Sequence, residues 1–321
     1  MSMSRTLGQK RAQKESVPNL SAKLRFKPGR DIPVYMLILP AVLLLFVFHY
    51  LPIYGIIISF QDFSPFKGLL KSDWVGFKHF EQFLTDSNFW RVFKNTIVIN
   101  LMQIIIGFPI PIIFAIFLNE LWSNKFKKVV QTVSYLPHFI SWVVAASIIV
   151  TMLSPSSGLI NKAIEAMGGE PVYFLAKQEY FRMIIVLTAV WKELGMQSVY
   201  YIAALASIDT ELYEAAKIDG AGKIKQAIHV TLPGLLPIIS ILLILKIGQM
   251  VTIGFEQIFL LYNPLVYDVG DVISTYTYRL GIEQTQYSLT TAIGVSQSIV
   301  NFILVFLANK ISKKVSGSSL W

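Results

Sequence analysis

The side chains that could do chemistry in this 321-residue chain are few, and their types point to binding rather than bond-making. Lys246, Gln249 and Glu256 stand in one apolar run, Gln297 and Asn301 in another, and Lys192, Glu193, Tyr200 and Tyr201 in a third. Ammonium, amide and hydroxyl groups in apolar surroundings can hydrogen-bond a polyhydroxylated solute, and tyrosine rings can stack on its C–H faces. At about 100° per residue, Lys246, Gln249 and Glu256 fall within roughly 80° of one helix face, and Gly294, Gln297 and Asn301 follow a 3–4 spacing. Polar groups in such runs either face water and a solute path or bond a neighbouring helix. Both readings stay open for Lys246, Gln249, Glu256, Gln297, Asn301 and Tyr200. For Lys192 and Glu193 the favoured reading is pairing with each other or with a neighbouring helix.

Nothing else in the sequence resembles a catalytic set. There are no cysteines, and the four histidines, His49, His79, His138 and His229, are scattered and read as packing or interfacial residues, not metal ligands. The run "GAGKIK" is not a phosphate-binding loop. Ile224 replaces the hydroxyl needed at magnesium, and Lys217 stands where the first glycine should be. The expectation is a non-enzyme without a metal or cofactor of its own.

The elements that must position these residues are membrane spans. The chain is 54% hydrophobic and only 15% charged, with a mean hydropathy of +0.57, whereas soluble domains carry about 25% charged residues. Six segments are long enough to span, about 20 apolar residues being needed: 33–61, 92–118, 129–153, 182–206, 234–262 and 289–309. Prolines 40, 52, 109 and 111 read as kinks. Seventeen Lys or Arg fall in the arm 1–32, the 119–128 loop, the stretch 209–225 and the tail from 310, against seven in the intervening loops. Cytoplasmic loops carry the excess of Lys and Arg, so both termini are expected inside. The net charge of +9 is therefore a matter of topology, with the basic arm beside anionic lipid, and not of nucleic-acid binding.

One polar stretch, "DTELYEAAKIDGAGKIKQAIHVTLPG" at 209–234, interrupts the apolar runs. Asp209 or Thr210 can cap a short helix. Glu211 and Glu214 suit its positive end and Lys217 its negative end. Gly220 is a candidate left-handed stop, and Pro233 suits the first turn of the next span. On these grounds alone an ordinary amphipathic connecting loop is an equal alternative.

The spacing Glu214-Ala215-Ala216, Asp219-Gly220-Ala221 and Leu232-Pro233 resembles the EAA loop of ABC-importer permeases, departing only at Ala227, where that family has a bulky aromatic. Further stretches, "LPAVLLLFVFHYLPIYGIIISFQDFSPFKG", "SDWVGFKHFEQF", "VQTVSYLPHFISWVV", "GFEQIFLLYNP" and "SSLW", are similar to permeases for complex carbohydrates of the pectic, rhamnogalacturonan and alginate type, over about residues 30–321. The resemblance implies an all-α membrane protein, a type I importer permease with six transmembrane helices over 33–309 and tails at 1–32 and 310–321. It makes 207–233 the coupling loop, with Glu214, Ala215, Ala216, Asp219, Gly220, Ala221, Leu232 and Pro233 seated against a cytoplasmic ATPase subunit. It implies a second, different permease, two ATPase subunits that bind ATP and Mg, an extracytoplasmic binding protein that delivers an oligosaccharide, and a bacterial cell membrane. The alternatives are a stand-alone secondary sugar transporter driven by an ion gradient, and a membrane anchor without transport.

Overall fold

The computed structural model describes residues 28–315, 317 and 320. The basic arm expected at 1–32 lies outside the described residues as far as Lys27. The chain divides into two units at Tyr54. In the first, a helix over Pro28–Leu45 continues into a π turn at Phe46–Tyr50. A 3₁₀ stretch, Leu51–Phe60, follows across the boundary.

The second unit is helical apart from a two-rung antiparallel hairpin that pairs Gln61 with Trp74. Its second predicted span is one helix over Ser87–Asn119 and its last a helix over Tyr287–Val315, close to expectation. The fourth is a 28-residue helix, Gln178–Leu205, long enough to cross a bilayer but diluted in hydropathy by Arg182, Lys192 and Glu193. It forms the centre of the unit. Gly195 lets it approach the 124–139 helix so closely that a Cβ there would lie 2.2 Å from the Ser134 carbonyl oxygen. Small residues at such crossings maximise van der Waals contact where lipid offers no hydrophobic drive.

Two predicted spans are not continuous. Residues 129–153 divide into Asn124–Phe139 and Trp142–Leu153, bent by 104°. Ile140 is extended, and Ser141 caps the second helix by accepting from the Val144 amide. The predicted span 234–262 is shifted: its helix starts at Lys223, runs through Pro233 to Ile247 and stops, and a short helix, Phe255–Leu261, follows. Pro233 is thus inside a longer helix and not at its start.

Three of the prolines share a device. Each of Pro52, Pro109 and Pro233 follows a π turn, at 46–50, 103–107 and 227–231, in which the residue just before the proline bonds the carbonyl five residues back. Proline cannot bond the carbonyl four back and its ring collides with it. The wider turn opens room for the ring and keeps the helix running.

At the end of the 178–205 helix away from the 209–234 stretch, the loops are tied by buried polar bonds. Arg182 donates to Asn95 Oδ1 at 2.8 Å, and Asn95 donates to the carbonyls of Asp268 and Asp271. Asp271, fully buried, holds Arg279 at 2.6 Å. Burial works against the Arg279 charge, but Asp271 outweighs it and raises the guanidinium above its ordinary value. In the 158–171 loop, a helix over Leu159–Ala166 ends with Gly168 in the left-handed region.

Candidate functional site

The break after Ile247 decides where the predicted pathway residues go. Gly248 is packed so tightly on the last helix that a Cβ would lie 2.2 Å from Val305 Cγ2. Beyond it the chain turns in short three-residue bonds, Gln249 N–H to Lys246 O and Met250 N–H to Ile247 O. Irregular backbone at membrane depth must be satisfied from within the protein. Here Asn100 donates to Met250 O at 2.9 Å and Gln297 to Val251 O at 2.7 Å. Asn301 accepts from Val251 N–H and donates to Thr252 Oγ1. Gln297 and Asn301 are therefore bonded across to the broken span. Glu256 is exposed on the separate short helix. The single helix face expected to carry Lys246, Gln249 and Glu256 does not exist, because the helix ends between the first two.

Lys246, Gln249 and Tyr200 do come together. They line a cavity of ≈ 540 Å³ with His138, Glu193 and Tyr201, between the 178–205 helix, the 223–247 helix and the bend of the broken third span. An adjoining cavity of ≈ 210 Å³ shares Glu193 and Lys246 and adds Gln103. Lys246 Nζ donates to Gln103 Oε1 at 3.0 Å. Glu193 Oε2 meets His138 Nδ1 at 2.9 Å, and its other oxygen lies 3.7 Å from Lys192 Nζ. Lys192, only 6% exposed, donates to the His138 carbonyl at 2.9 Å and lies over the Trp142 ring. That is the helix-to-helix pairing favoured from the sequence, and it pins both sides of the 104° bend. Gln103, Gln197 and His138 were not singled out in the sequence as lining residues. Their one signal is a polar side chain in an otherwise apolar run.

The 209–234 stretch has the expected local form. Asp209 caps a helix over Thr210–Ile218 by accepting from Glu211 N–H at 3.0 Å. Gly220 has φ +75°, and the Ala221 amide reaches back to Ala216 O at 2.8 Å, closing the helix with a six-to-one bond. Gln226 donates to Ala221 O at 2.7 Å, and Tyr213 Oη lies 3.0 Å from Thr231 Oγ1, tying this short helix to the next. Glu214, Ala215, Asp219 and Gly220 are exposed, as are Leu232 and Pro233, while Ala216 and Ala221 are half-buried. Leu212, Ile218 and Ile224 also stand exposed. The result is a rigid polar elbow carrying uncovered apolar side chains.

A helical unit with proline-bearing spans, a polar cavity and a projecting capped elbow has the form of a transporter's membrane component. The chain belongs to the family described as binding-protein-dependent transport system inner membrane component, matched over residues 107–317. It is 43% identical over 288 residues, 90% of each chain, to the polygalacturonan/rhamnogalacturonan transport system permease protein YteP of Bacillus subtilis (strain 168). It is 30% identical to the arabinooligosaccharides transport system permease protein AraP of the same organism, covering 88% of each. Among solved structures, a chain of a bacterial ABC transporter involved in the import of the acidic polysaccharide alginate matches with a TM-score of 0.83 and 39% identity, over 90% of this chain and 97% of that one. Another crystal structure, of an alginate ABC transporter with an alginate pentasaccharide-bound periplasmic protein, matches with a TM-score of 0.84 and 38% identity, over 91% and 98%. The type I permease fold expected from the sequence is thereby shown. The chain is a membrane-embedded transport subunit, not an enzyme.

Proposed function

We propose that this chain forms half of the translocation pathway of an ATP-driven bacterial importer for polysaccharide-derived oligosaccharides. The observation that carries the reading is the 209–234 elbow: a capped helix, closed at a left-handed glycine, that presents uncovered Leu212, Ile218 and Ile224. Such a surface suits a groove on a cytoplasmic ATPase subunit, and the excess of Lys and Arg on its side of the membrane supports an orientation with it and both termini inside. The remaining parts are a second, non-identical permease, two ATPase subunits that bind ATP and Mg, and an extracytoplasmic binding protein. ATP binding draws the two elbows together and opens the cavity outward toward the docked binding protein. Hydrolysis returns it inward and frees the sugar. Tyr200 and Gln249 offer the cavity a stacking face and an amide, which suits a hydroxyl-rich solute.

Extraction in mild detergent and purification through a tag on this chain tests the reading. The expected result is co-purification of the second permease and the ATPase, with uptake that requires ATP and persists when ion gradients are collapsed. Uptake by this chain without an ATPase, driven by an ion gradient, would refute it in favour of a secondary transporter.

A further inference from the structure

The charges around the cavity do not cancel. Glu193 is already matched: His138 holds one of its oxygens at 2.9 Å, and the ammonium of Lys192 lies 3.7 Å from the other. Lys192 is spent on that carboxylate and on the His138 carbonyl, and is too buried to reach the cavity. Lys246 is different. Its bond is to a neutral amide oxygen of Gln103 at 3.0 Å, and it forms no ion pair among the described residues. Both cavities are lined by it. An ammonium has three donors, so two remain for a ligand. Glu193, which lines both cavities, is the one carboxylate whose field reaches Lys246, but its oxygens are already held by His138 and Lys192. The other titratable groups facing the space, His138 and the hydroxyls of Tyr200 and Tyr201, carry no negative charge at neutral pH.

A cation without a direct ion pair in a partly desolvated space is further stabilised by whatever anion can enter. We propose that Lys246 is the specificity-determining cation of the pathway and selects oligosaccharides bearing carboxylates, that is uronic-acid units, over neutral ones. The proposal rests on the reading of the chain as an oligosaccharide permease. Tyr200, half exposed beside it, supplies a ring for the sugar face. Gln249 and Gln197 line the same space and suit its hydroxyls.

The test uses the assembled permease–ATPase complex in nanodiscs of phosphatidylcholine, which exclude anionic lipid headgroups as the occupant. Trigalacturonate and its fully methyl-esterified form are titrated calorimetrically, with thermal melting as a check on assembly. The intact complex is expected to bind the acid about ten-fold or more tightly than the ester, since a bond to a charged group is worth that much. The preference should vanish in Lys246→Gln, persist in Lys246→Arg and weaken with added salt. Equal binding of acid and ester by the intact complex, or a preference that survives Lys246→Gln, overturns the proposal. If Lys246→Gln does not assemble, Glu193→Gln decides: removing the anion should strengthen acid over ester, and an unchanged ratio overturns the proposal. Import of neutral oligosaccharides alone would sink this selectivity while leaving the permease reading intact. Failure to import any oligosaccharide would sink both.

Discussion

Replacing Gly220 separates backbone conformation from every other property of the elbow. Its φ is +75°, and a Cβ built there meets nothing within 4 Å. Any effect of a side chain must therefore come from the left-handed backbone and not from crowding. That conformation costs an ordinary L-residue about 1–2 kcal/mol, somewhat less for asparagine and more for a β-branched residue. For Gly220→Val a cost of about 2 kcal/mol shifts the balance between the native elbow and opened forms by roughly 30-fold. Opening releases the Ala221–Ala216 and Gly220–Lys217 backbone bonds and changes the angle between the two helices. Gly222 is the internal control: its φ is −69°, extended backbone open to any residue, and it also has free space around a Cβ. Uptake and ATPase co-purification, measured at equal permease levels in the membrane, should fall in the order Asn, Ala, Val at position 220 and hold in Gly222→Val. Full coupling in Gly220→Val, or equal loss in Gly222→Val, would refute the reasoning.

Other outcomes follow from the same geometry. Asn100→Leu leaves the Met250 carbonyl without its donor, so the complex should lose about 1–3 kcal/mol of stability, read by thermal melting, with no change in which oligosaccharide is taken up. Gln249→Leu, in the cavity wall, should instead raise the concentration of sugar needed for half-maximal uptake, with melting nearly unchanged. Tyr213→Phe removes the bond to Thr231 and should cost about 0.5–1.5 kcal/mol, seen as faster proteolytic cleavage of the 209–222 segment. A cysteine at the exposed Gly222 should resist an impermeant thiol reagent in intact cells, whereas cysteines at Asp73 and Ser156 should label; the reverse pattern would invert the orientation. The native chain contributes no thiol background.

What could be read from the sequence was whatever is decided locally. The Asp209 cap and the Gly220 stop depend on residues within one or two turns, and each appears where its spacing places it. The breaks in the third and fifth spans do not announce themselves in hydropathy, because apolar residues continue through "HFISWVV" and "QMVTIGF". They are stabilised from far along the chain. Lys192 reaches His138 across 54 positions, and Asn100 reaches Met250 across 150. Gln297 and Asn301 illustrate the limit: their spacing put them on one face, but only the broken backbone opposite shows what that face is for. Pro137 and Ser141, a proline and a capping residue inside a predicted span, were the local signs of the 104° bend.

The elbow and the cavity are joined by a single helix, and this constrains how one can act on the other. Residues 223–247 run unbroken from just after Gly222 to Lys246 and the Gly248 turn, a length of about 36 Å at 1.5 Å per residue. A displacement of the elbow that the helix does not absorb by bending must arrive at Lys246 and at the Gln103 amide it holds. Bending is most easily absorbed where backbone bonds are missing or stretched. In this helix those places are the π turn at 227–231 with Pro233, and Pro237. The π turn and Pro233 lie in the half nearer the elbow, and Pro237 lies just past the middle. The stretch beyond Pro237 that carries Lys246 contains no further proline or π turn, and it is clamped at its end by the close packing of Gly248 on Val305. Tyr213, bonded to Thr231, reaches across the π turn from the elbow's own helix and stiffens the compliant half. On the proposed seating of the elbow against an ATPase, the arrangement is that of a lever whose soft section is braced by the surface that would be pushed, so that motion of the elbow would reach the cavity as tilt of the helix instead of being lost as local flexing.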